Sequence, residues 1–547
     1  MCGIDKKYII RITNICLTNQ FGSGKNKWST LTHHGVLFPP EYKPHGVPLI
    51  CKGEKIILDK ESEEIASMYA KYIKTEYVNN KTFRSNFWND WKKVLKNRYP
   101  IESLDSCDFT LIHEHILKEM ERSKEDTEKK LNRDEIENKY KVAIVDGKEQ
   151  PVGNFRIEPP GIFIGRGSNP KLGKIKKRFY PEDITINIGK ESEVPIPLEG
   201  HKWKKIVHDK SGEWLASWRD NITGKLKYVW LGAHSDVKIK GDVHKFDLAR
   251  KLKRKIRGIM ETNYKNLSND GLVIRQIATA LYLIDKLALR VGNEKGEDEA
   301  DTVGITSLRF EHISILEDDK ITLDFLGKDS VRYLNTVQVD HLVHKNLKEF
   351  TNGKRKYDSI FDSINANDIN KYLQSFMKGL TAKVFRTYNA SNLFQKELRK
   401  ITNKYATCDK VDKINTLLNE FNSANAKVAL LCNHQKNISK SFKESVEKMD
   451  AQIRELKSKL SKAKRAKKKK PATIAKIKER IAKMKTKKGV KIQLKNVSLG
   501  TSKVNYIDPR ITVAFLKKHG LSIDKVFSKT LQEKFSWAFN VDADFKF

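Results

Sequence analysis

The sequence holds no C-x-x-C pair, no long apolar run and no complete nucleotide loop, and each absence removes a class of protein. Its six cysteines, Cys2, Cys16, Cys51, Cys107, Cys408 and Cys432, are scattered over 547 residues. That spacing fits neither a zinc site nor a disulfide framework and suits a reducing compartment. The pair His33-His34 has no ligand partners at zinc spacing and reads as ordinary surface histidine. No stretch approaches the ~18–20 consecutive apolar residues that a membrane span needs. The short apolar run at residues 8–12 is interrupted by Arg11 and followed by no small-residue cleavage site, so it makes a poor signal peptide. Gly22-Ser23-Gly24-Lys25 has Asn19 where a phosphate loop needs glycine and Asn26 where it needs a hydroxyl. Gly165-Arg166-Gly167 fails the dinucleotide pattern because Pro170 takes the last glycine position. Nothing argues for ATP or for a resident metal, and there is no internal repeat.

Acidic residues are the remaining shortage. Lys and Arg number 106 against 68 Asp and Glu, a formal net charge of +38. Cations on that scale imply a polyanionic partner, and nucleic acid is the commonest; a basic membrane-surface protein is the weaker competitor. With 39% hydrophobic and 32% charged residues the chain can build proper cores, and its length suggests roughly three or four domains.

The first 25 residues are polar and unpatterned and read as a disordered lead. From Trp28 to about Val237 short strands alternate with turns and two helical stretches, near residues 62–74 and 112–140. Strand-like alternation at residues 214–218 and 228–231 brackets the turn residues Asn221 and Gly224. After about Lys238 the character becomes helical. Val273, Ile277, Ala280, Ile284 and Leu287 predict one buried helical face, and further helices are expected near residues 368–378 and 413–432. Between them, residues 322–326 and 331–333 predict a hairpin turning at Gly327-Lys328-Asp329-Ser330. Phe442, Val446, Met449, Ile453, Leu456 and Leu460 then step by four and three, a coiled-coil seam. The seam breaks at the cationic residues 462–471 and resumes at Ile474, Ile477, Ile481 and Met484, which predicts an antiparallel hairpin. A compact C-terminal segment, about 495–547, follows.

Two basic segments suit polyanions. Lys171, Lys174, Lys176, Lys177 and Arg178 flank a Gly/Pro-rich turn and read as phosphate contacts. The run at residues 462–470 could be a nuclear-localisation signal, a DNA brush or a solubilising turn. The candidate reactive residue is Tyr506, in Ser502-Lys503-Val504-Asn505-Tyr506-Ile507-Asp508-Pro509-Arg510. A phenol becomes a good nucleophile only among cations. Singly, the candidate partners are ordinary: Arg290 as a complement to a helix dipole, Lys328 as hairpin chemistry, Arg386 and His434 as structural residues near helix ends.

Taken together they are not ordinary. Residues 287–295 (Leu-Ala-Leu-Arg-Val-Gly-Asn-Glu-Lys), 324–330, 380–391, 431–435 and the Tyr506 segment resemble, in the same order, the active-site blocks of eukaryotic-type DNA topoisomerase IB. The resemblance extends upstream through Ile157-Glu158-Pro159-Pro160-Gly161 and Gly200-His201-Lys202-Trp203-Lys204, and covers residues 28–547. It implies that the family's catalytic Arg, Lys, Arg and His are Arg290, Lys328, Arg386 and His434, and that its nucleophile is Tyr506. It also implies DNA contacts at Arg166, in the minor groove, at Lys176, and at Lys328, Asn293, Asp329, Thr501 and Asn505 near the scissile phosphate. Arg166, Asp329 and Asn505 match positions that meet camptothecin-type poisons in the family.

The expected architecture is a multidomain α+β protein. Residues 1–25 are the lead, and 26–237 an N-terminal mixed β/α DNA-clamp (cap) region. Residues 238–436 form a mostly helical catalytic core of the tyrosine recombinase/topoisomerase IB type, 437–494 an antiparallel coiled-coil linker hairpin, and 495–547 a small helical C-terminal domain carrying Tyr506. The resemblance implies a nuclear monomer clamped on double-stranded DNA, with no cofactor, relaxing supercoils through a 3′-phosphotyrosine. A tyrosine recombinase shares the Arg/Lys/Arg/His/Tyr set, and a catalytically silent DNA-binding scaffold is the competing class. The blocks before Val237 and the long hairpin favour the topoisomerase over the first. The intact set of five favours it over the second.

Overall fold

The computed structural model describes residues 26–125, 127–165, 167–293, 299–405, 413–435, 441–465, 471–493 and 495–547. The expected lead at 1–25, Arg166 and residues 466–470 of the basic turn lie outside them. The chain divides into two compact units: residues 1–163 with 173–238, and residues 164–172 with 239–547.

The first unit is assembled from short strands. β1 (Leu31–His33), β2 (Leu49–Cys51) and β3 (Glu54–Ile56) lead into α1 (Lys60–Ala70) and α2 (Lys81–Leu95). β4 (Cys107–Asp108) follows, and the charged stretch at 112–140 is built as α3 (Thr110–Glu125) and α4 (Thr127–Tyr140). Next come β5 (Val142–Val145), β6 (Lys148–Pro151), β7 (Gly161–Ile162) and β8 (Ile175–Lys176), then β9 (Thr185–Asn187), β10 (Lys205–Val207), β11 (Trp214–Arg219) and β12 (Leu226–Trp230). The strands form sheets ordered β1-β5-β6, β3-β2-β4, β7-β8 and β10-β9-β11-β12. The expected strands at 214–218 and 228–231 are the antiparallel pair β11–β12. Their turn is fixed by Asp220, whose carboxylate accepts the backbone N–H groups of Ile222 and Thr223 at 3.0 and 2.6 Å. Trp28, Ile184, Ile186, Ile188, Trp218 and Val229 pack into one apolar core beneath these sheets.

His33 corrects the surface reading. It is buried at the end of β1, with Nε2 3.0 Å from the carbonyl of Asn187 and Nδ1 accepting the Gly35 amide at 3.0 Å. The imidazole satisfies two backbone groups inside the unit; only its neighbour His34 is exposed.

The second unit is mostly helical. α5 (Asp236–Asn266) begins at its boundary, and α6 (Leu272–Leu287) follows. Ile277, Ala280, Ile284 and Leu287 are buried as the periodicity predicts, but Val273 is exposed. It lies in the first turn, before the helix enters the core, while Gln276, Ala278, Thr279, Leu281 and Leu283 are buried as well, so the middle of α6 is enclosed nearly all round. β13 (Ile313–Ile315), β14 (Lys320–Gly327) and β15 (Val331–Gln338) form an antiparallel sheet whose hairpin turns at residues 328–330, as expected. α7 (His341–Thr351), α8 (Ala366–Phe376), α9 (Ala382–Lys404) and α10 (Lys413–Leu431) complete the helical body.

α11 (Ser441–Arg465) and α12 (Pro471–Gln493) lie antiparallel, since Lys488 pairs with Asp450 and Lys491 with Ser445. Only the middle of the predicted seam closes. Met449, Ile453, Leu456 and Ile481 are buried, whereas Phe442, Val446, Leu460, Ile474, Ile477 and Met484 are half-buried. α13 (Leu499–Asn505), α14 (Pro509–Lys518) and α15 (Lys529–Lys534) end the chain. Ile507, Ile511, Phe515 and Phe527 belong to the same core as Leu281, Phe385 and Phe394. That shared core brings Tyr506 to side chains more than a hundred residues upstream.

Candidate active site

Five segments converge on one cavity of the second unit. α6 ends in Ala288, whose φ of 48° turns the chain out of the helix. Arg290 therefore lies beyond the helix in an extended segment and does not complement its dipole. The segment is pinned by Ile305 N–H to the Arg290 carbonyl (3.0 Å) and Thr306 N–H to the Val291 carbonyl (2.7 Å). Gly292 (φ 91°) is required there: a Cβ would stand 2.8 Å from the Cα of Gly304. Lys328 opens the turn between β14 and β15, where Asp329 and Ser330 have φ of 67° and 56°. Arg332 forks onto Asp324 at 2.7 and 2.6 Å and braces that hairpin.

Arg386 sits at the start of the second turn of α9 and is 4% exposed. Its Nε donates to the Ala288 carbonyl at 2.9 Å and its Nη2 to the Cys432 carbonyl at 3.1 Å, while Nη1 is buried without a partner. His434 follows α10. Its N–H donates to the Ala429 carbonyl at 2.7 Å and its own carbonyl accepts from Ser498 N–H at 2.8 Å. Nδ1 lies 2.7 Å from Ser502 Oγ, and Nε2 is buried without a partner among the described residues. Tyr506 caps α13 through its N–H to the Ser502 carbonyl (3.0 Å). Its carbonyl accepts from Ser391 Oγ at 3.0 Å, and the same Oγ accepts from Asp508 N–H at 3.0 Å. The nucleophile candidate is thus clamped on both sides of its peptide.

The Tyr506 ring is surrounded by nitrogen. His434 stacks on it with centroids 5.2 Å apart and planes 25° from parallel, and the Arg386 guanidinium carbon stands 5.5 Å from its centroid. Arg290 lines the same cavity as the phenol, whose proximity works against the lowering of the Arg290 pKa. Tyr506, Arg290, Lys328 and Arg386 line a cavity of about 430 Å³ together with Asn293 and Lys383. The N-terminus of α9 at Ala382 forms part of the wall and adds its partial positive charge. Burial, then the nearby Arg386, pulls Arg290 below the usual arginine range. Burial, with Arg386 and Arg290 behind it, lowers His434 to about 3, so its imidazole is neutral at pH 7. Buried donors without acceptors are rare in folded proteins and call for a ligand that completes them. Nη1 of Arg386 beside further cations fits an anion with several oxygens.

The other candidates divide. Asn293 lines the cavity and Asp329 stands next to Lys328 at the hairpin tip. Thr501 pairs its hydroxyl with Ser498 at 3.0 Å, and exposed Asn505 donates to the Thr501 carbonyl at 3.2 Å, on the helix that carries Tyr506. Lys176 lies on β8 of the first unit, 3.4 Å from Glu158. Sequence reasoning gave no role to Ser502, Ser391 or Lys383. Helical spacing held the signal: Ser502 precedes Tyr506 by four residues, and Lys383 precedes Arg386 by three.

Comparison with known proteins gives matches along nearly the whole chain. Family models match in three blocks: the DNA-binding fragment of eukaryotic DNA topoisomerase I over residues 26–231, its catalytic core over 234–467, and a C-terminal topoisomerase domain over 478–547. DNA topoisomerase 1 of Homo sapiens is 40% identical over 95% of this chain and 72% of its own length. The chain belongs to the eukaryotic DNA topoisomerase I family. DNA topoisomerase 1 of Caenorhabditis elegans is 45% identical over 94% of the chain and 67% of its own length. DNA topoisomerase 1 alpha of Arabidopsis thaliana is 45% identical over 96% of the chain. The chain spans about 60% of the length of the two plant relatives it matches. Eukaryotic topoisomerase I membership accounts for a mixed α/β first part with a helical second part, and no described helix is long and apolar enough to cross a membrane.

Proposed function

We propose that this chain is a type IB DNA topoisomerase that relaxes positive and negative supercoils by cutting and resealing one strand, using neither ATP nor a metal ion. The observation that carries the reading is the pair of buried, unpartnered nitrogens, Arg386 Nη1 and His434 Nε2, on side chains that flank the Tyr506 ring, with Arg386 and Tyr506 lining a cavity shared with Arg290 and Lys328. A phosphodiester would complete those donors. The Tyr506 phenol releases its proton to water, its oxygen attacks phosphorus, the bond to the 5′ oxygen breaks, and the strand stays attached as a 3′-phosphotyrosine. Negative charge collects on the equatorial oxygens, where Arg290, Arg386 and His434 donate hydrogen bonds made strongest at that point. Lys328, exposed at its hairpin tip, gives the leaving 5′ oxygen a proton and recovers it on religation. The return reaction uses the same groups in reverse.

Relaxation also needs the cut duplex to turn. Residues 26–237 act as the clamp region, holding DNA through sequence-independent phosphate contacts by Lys176 and its neighbours and a minor-groove contact by Arg166. Asn293, Asp329, Thr501 and Asn505 flank the cleavage site. Residues 238–436 form the catalytic core and 495–547 bring in Tyr506. The helix pair within 437–494 is the coiled-coil linker, whose cations brake rotation electrostatically. The protein works as a monomer in the nucleus. Supercoiled plasmid should be relaxed in EDTA without ATP, with a protein–DNA adduct trapped by denaturant. Tyr506→Phe should lose both. Failure of the wild type to relax plasmid would overturn the reading. Recombinant products between two sites would favour a recombinase instead.

A further inference from the structure

Ser502 has no part in the steps above, yet its hydroxyl is buried against one of the groups that does. The residue is wholly buried, and among the described residues its Oγ has His434 Nδ1, 2.7 Å away, as its hydrogen-bond partner. A serine hydroxyl carries one hydrogen to give and lone pairs to receive. Were Nδ1 the donor, the hydroxyl hydrogen would be stranded in the interior without an acceptor. With Oγ as donor the hydroxyl hydrogen is used, and the one unused hydrogen of the pair lies on Nε2, where a ligand oxygen can accept it.

We infer that Ser502 is a positioning residue that donates its hydroxyl hydrogen to Nδ1 of His434 and so keeps the ring hydrogen on Nε2. The consequence follows from the number of hydrogens. Burial and the two arginines hold His434 to about 3, so near pH 7 the ring carries a single N–H. On Nε2 that hydrogen meets no partner among the described residues and is left for a ligand oxygen. On Nδ1 it would be spent on serine, and Nε2 would turn a lone pair toward any oxyanion. Choosing the tautomer therefore converts His434 from a group that repels phosphoryl oxygen into one that binds it. The backbone enforces the meeting: Ser502 lies on α13, whose carbonyl at Ser502 holds the Tyr506 amide, so donor setting and nucleophile placement share one turn of helix.

The use of that hydrogen rests on the cleavage chemistry proposed above; the tautomer does not. Two measurements keep them apart. Imidazole nitrogen resonances of ¹⁵N-histidine-labelled protein without DNA, with His434 assigned by its loss in His434→Gln, should show the Nε2–H tautomer from pH 6 to 8. An Nδ1–H pattern in the wild type would overturn the inference whatever the enzyme does to DNA. Ser502→Ala should shift the His434 signal toward the Nδ1–H form. It should also slow single-turnover cleavage of a nicked-suicide duplex by about 10–100-fold, less than the loss of a direct donor. Duplex affinity should stay unchanged, and the substitution should add nothing in a His434→Gln background. Unchanged tautomer and rate in a folded Ser502→Ala protein would sink it. Should that variant not fold, the wild-type spectrum alone decides. An Nε2–H wild type that cleaves no DNA would defeat the proposed function and leave the positioning intact.

Discussion

Two cationic regions of this chain make an instructive pair. In the first unit the basic loop looked like the richer phosphate site, yet its cations are matched within the protein. Lys174 meets Asp90 at 3.1 Å, Lys177 meets Asp183 at 2.7 Å, Lys176 meets Glu158 at 3.4 Å and Arg178 meets Glu64 at 2.6 Å. The cavity of the second unit carries as many, Arg290, Lys328, Lys383 and Arg386, but among the described residues none of them forms an ion pair with a carboxylate: Arg386 spends two of its nitrogens on backbone carbonyls and keeps the third unpartnered. Density of Lys and Arg marks where a polyanion can be held. Buried donors left without partners mark where one particular anion must fit.

The largest test of that contrast removes the nucleophile. Tyr506→Phe takes away one oxygen from a ring that keeps its stacking with His434, so the fold should persist while covalent adduct on denaturing gels disappears entirely. Next comes Arg386→Ala. Losing the open nitrogen should slow single-turnover cleavage by about 10²–10³. It also strips the Ala288 and Cys432 carbonyls of their buried donor, so the thermal midpoint should fall. An Arg386→Ala protein that cleaves at the wild-type rate would remove the cavity from the chemistry.

Histidine sharpens the comparison through pH. Burial lowers His33 in the first unit to about 4, the Asn187 carbonyl resisting, and lowers His434 in the second to about 3. An unfolded histidine titrates near 6.5. Between that value and 3–4 the unfolded chain binds protons that the folded chain refuses. Each imidazole's contribution is thus fully present above pH 6.5 and is lost as pH falls, with a slope of about 1.4 kcal/mol per pH unit. Urea midpoints measured from pH 7.5 to 4.5 should drop, and His434→Gln should flatten the drop for the second unit. Cleavage rate, by contrast, should show no inflection near 6.5 from His434, because the ring is already neutral there.

The sequence was most informative where chemistry is local and least where it is assembled. The period of Ile277, Ala280, Ile284 and Leu287 announced a buried helix, and alternation announced β11, β12 and the Lys328 hairpin. Val273 misled because periodicity does not say where a helix enters its core. His33 misled because its acceptor, Asn187, is 154 residues away. The five candidate side chains were picked out through motif order, and no spacing rule alone could have joined Arg290 to Tyr506. Ser502 and Ser391 stayed silent since serine is common, and only the fold shows which hydroxyl faces His434 and which clamps the Tyr506 peptide.

The smallest expected effects return to the basic loop and divide it. Lys176 has the longest of the four pairings, so it is the cation most easily released to a phosphate. Lys176→Gln should leave single-turnover cleavage unchanged and reduce the slope of log affinity against log salt by about 0.9, one counterion's worth. Arg178 behaves differently because its guanidinium also donates to the Pro40 carbonyl at 2.8 Å and its side chain is nearly buried. Arg178→Gln should lower the thermal midpoint of the first unit and leave the salt slope alone. Equal salt slopes for Lys176→Gln and wild type would mean that the loop's cations serve the protein's own carboxylates, and that the open donors of the second unit carry the local recognition of phosphate.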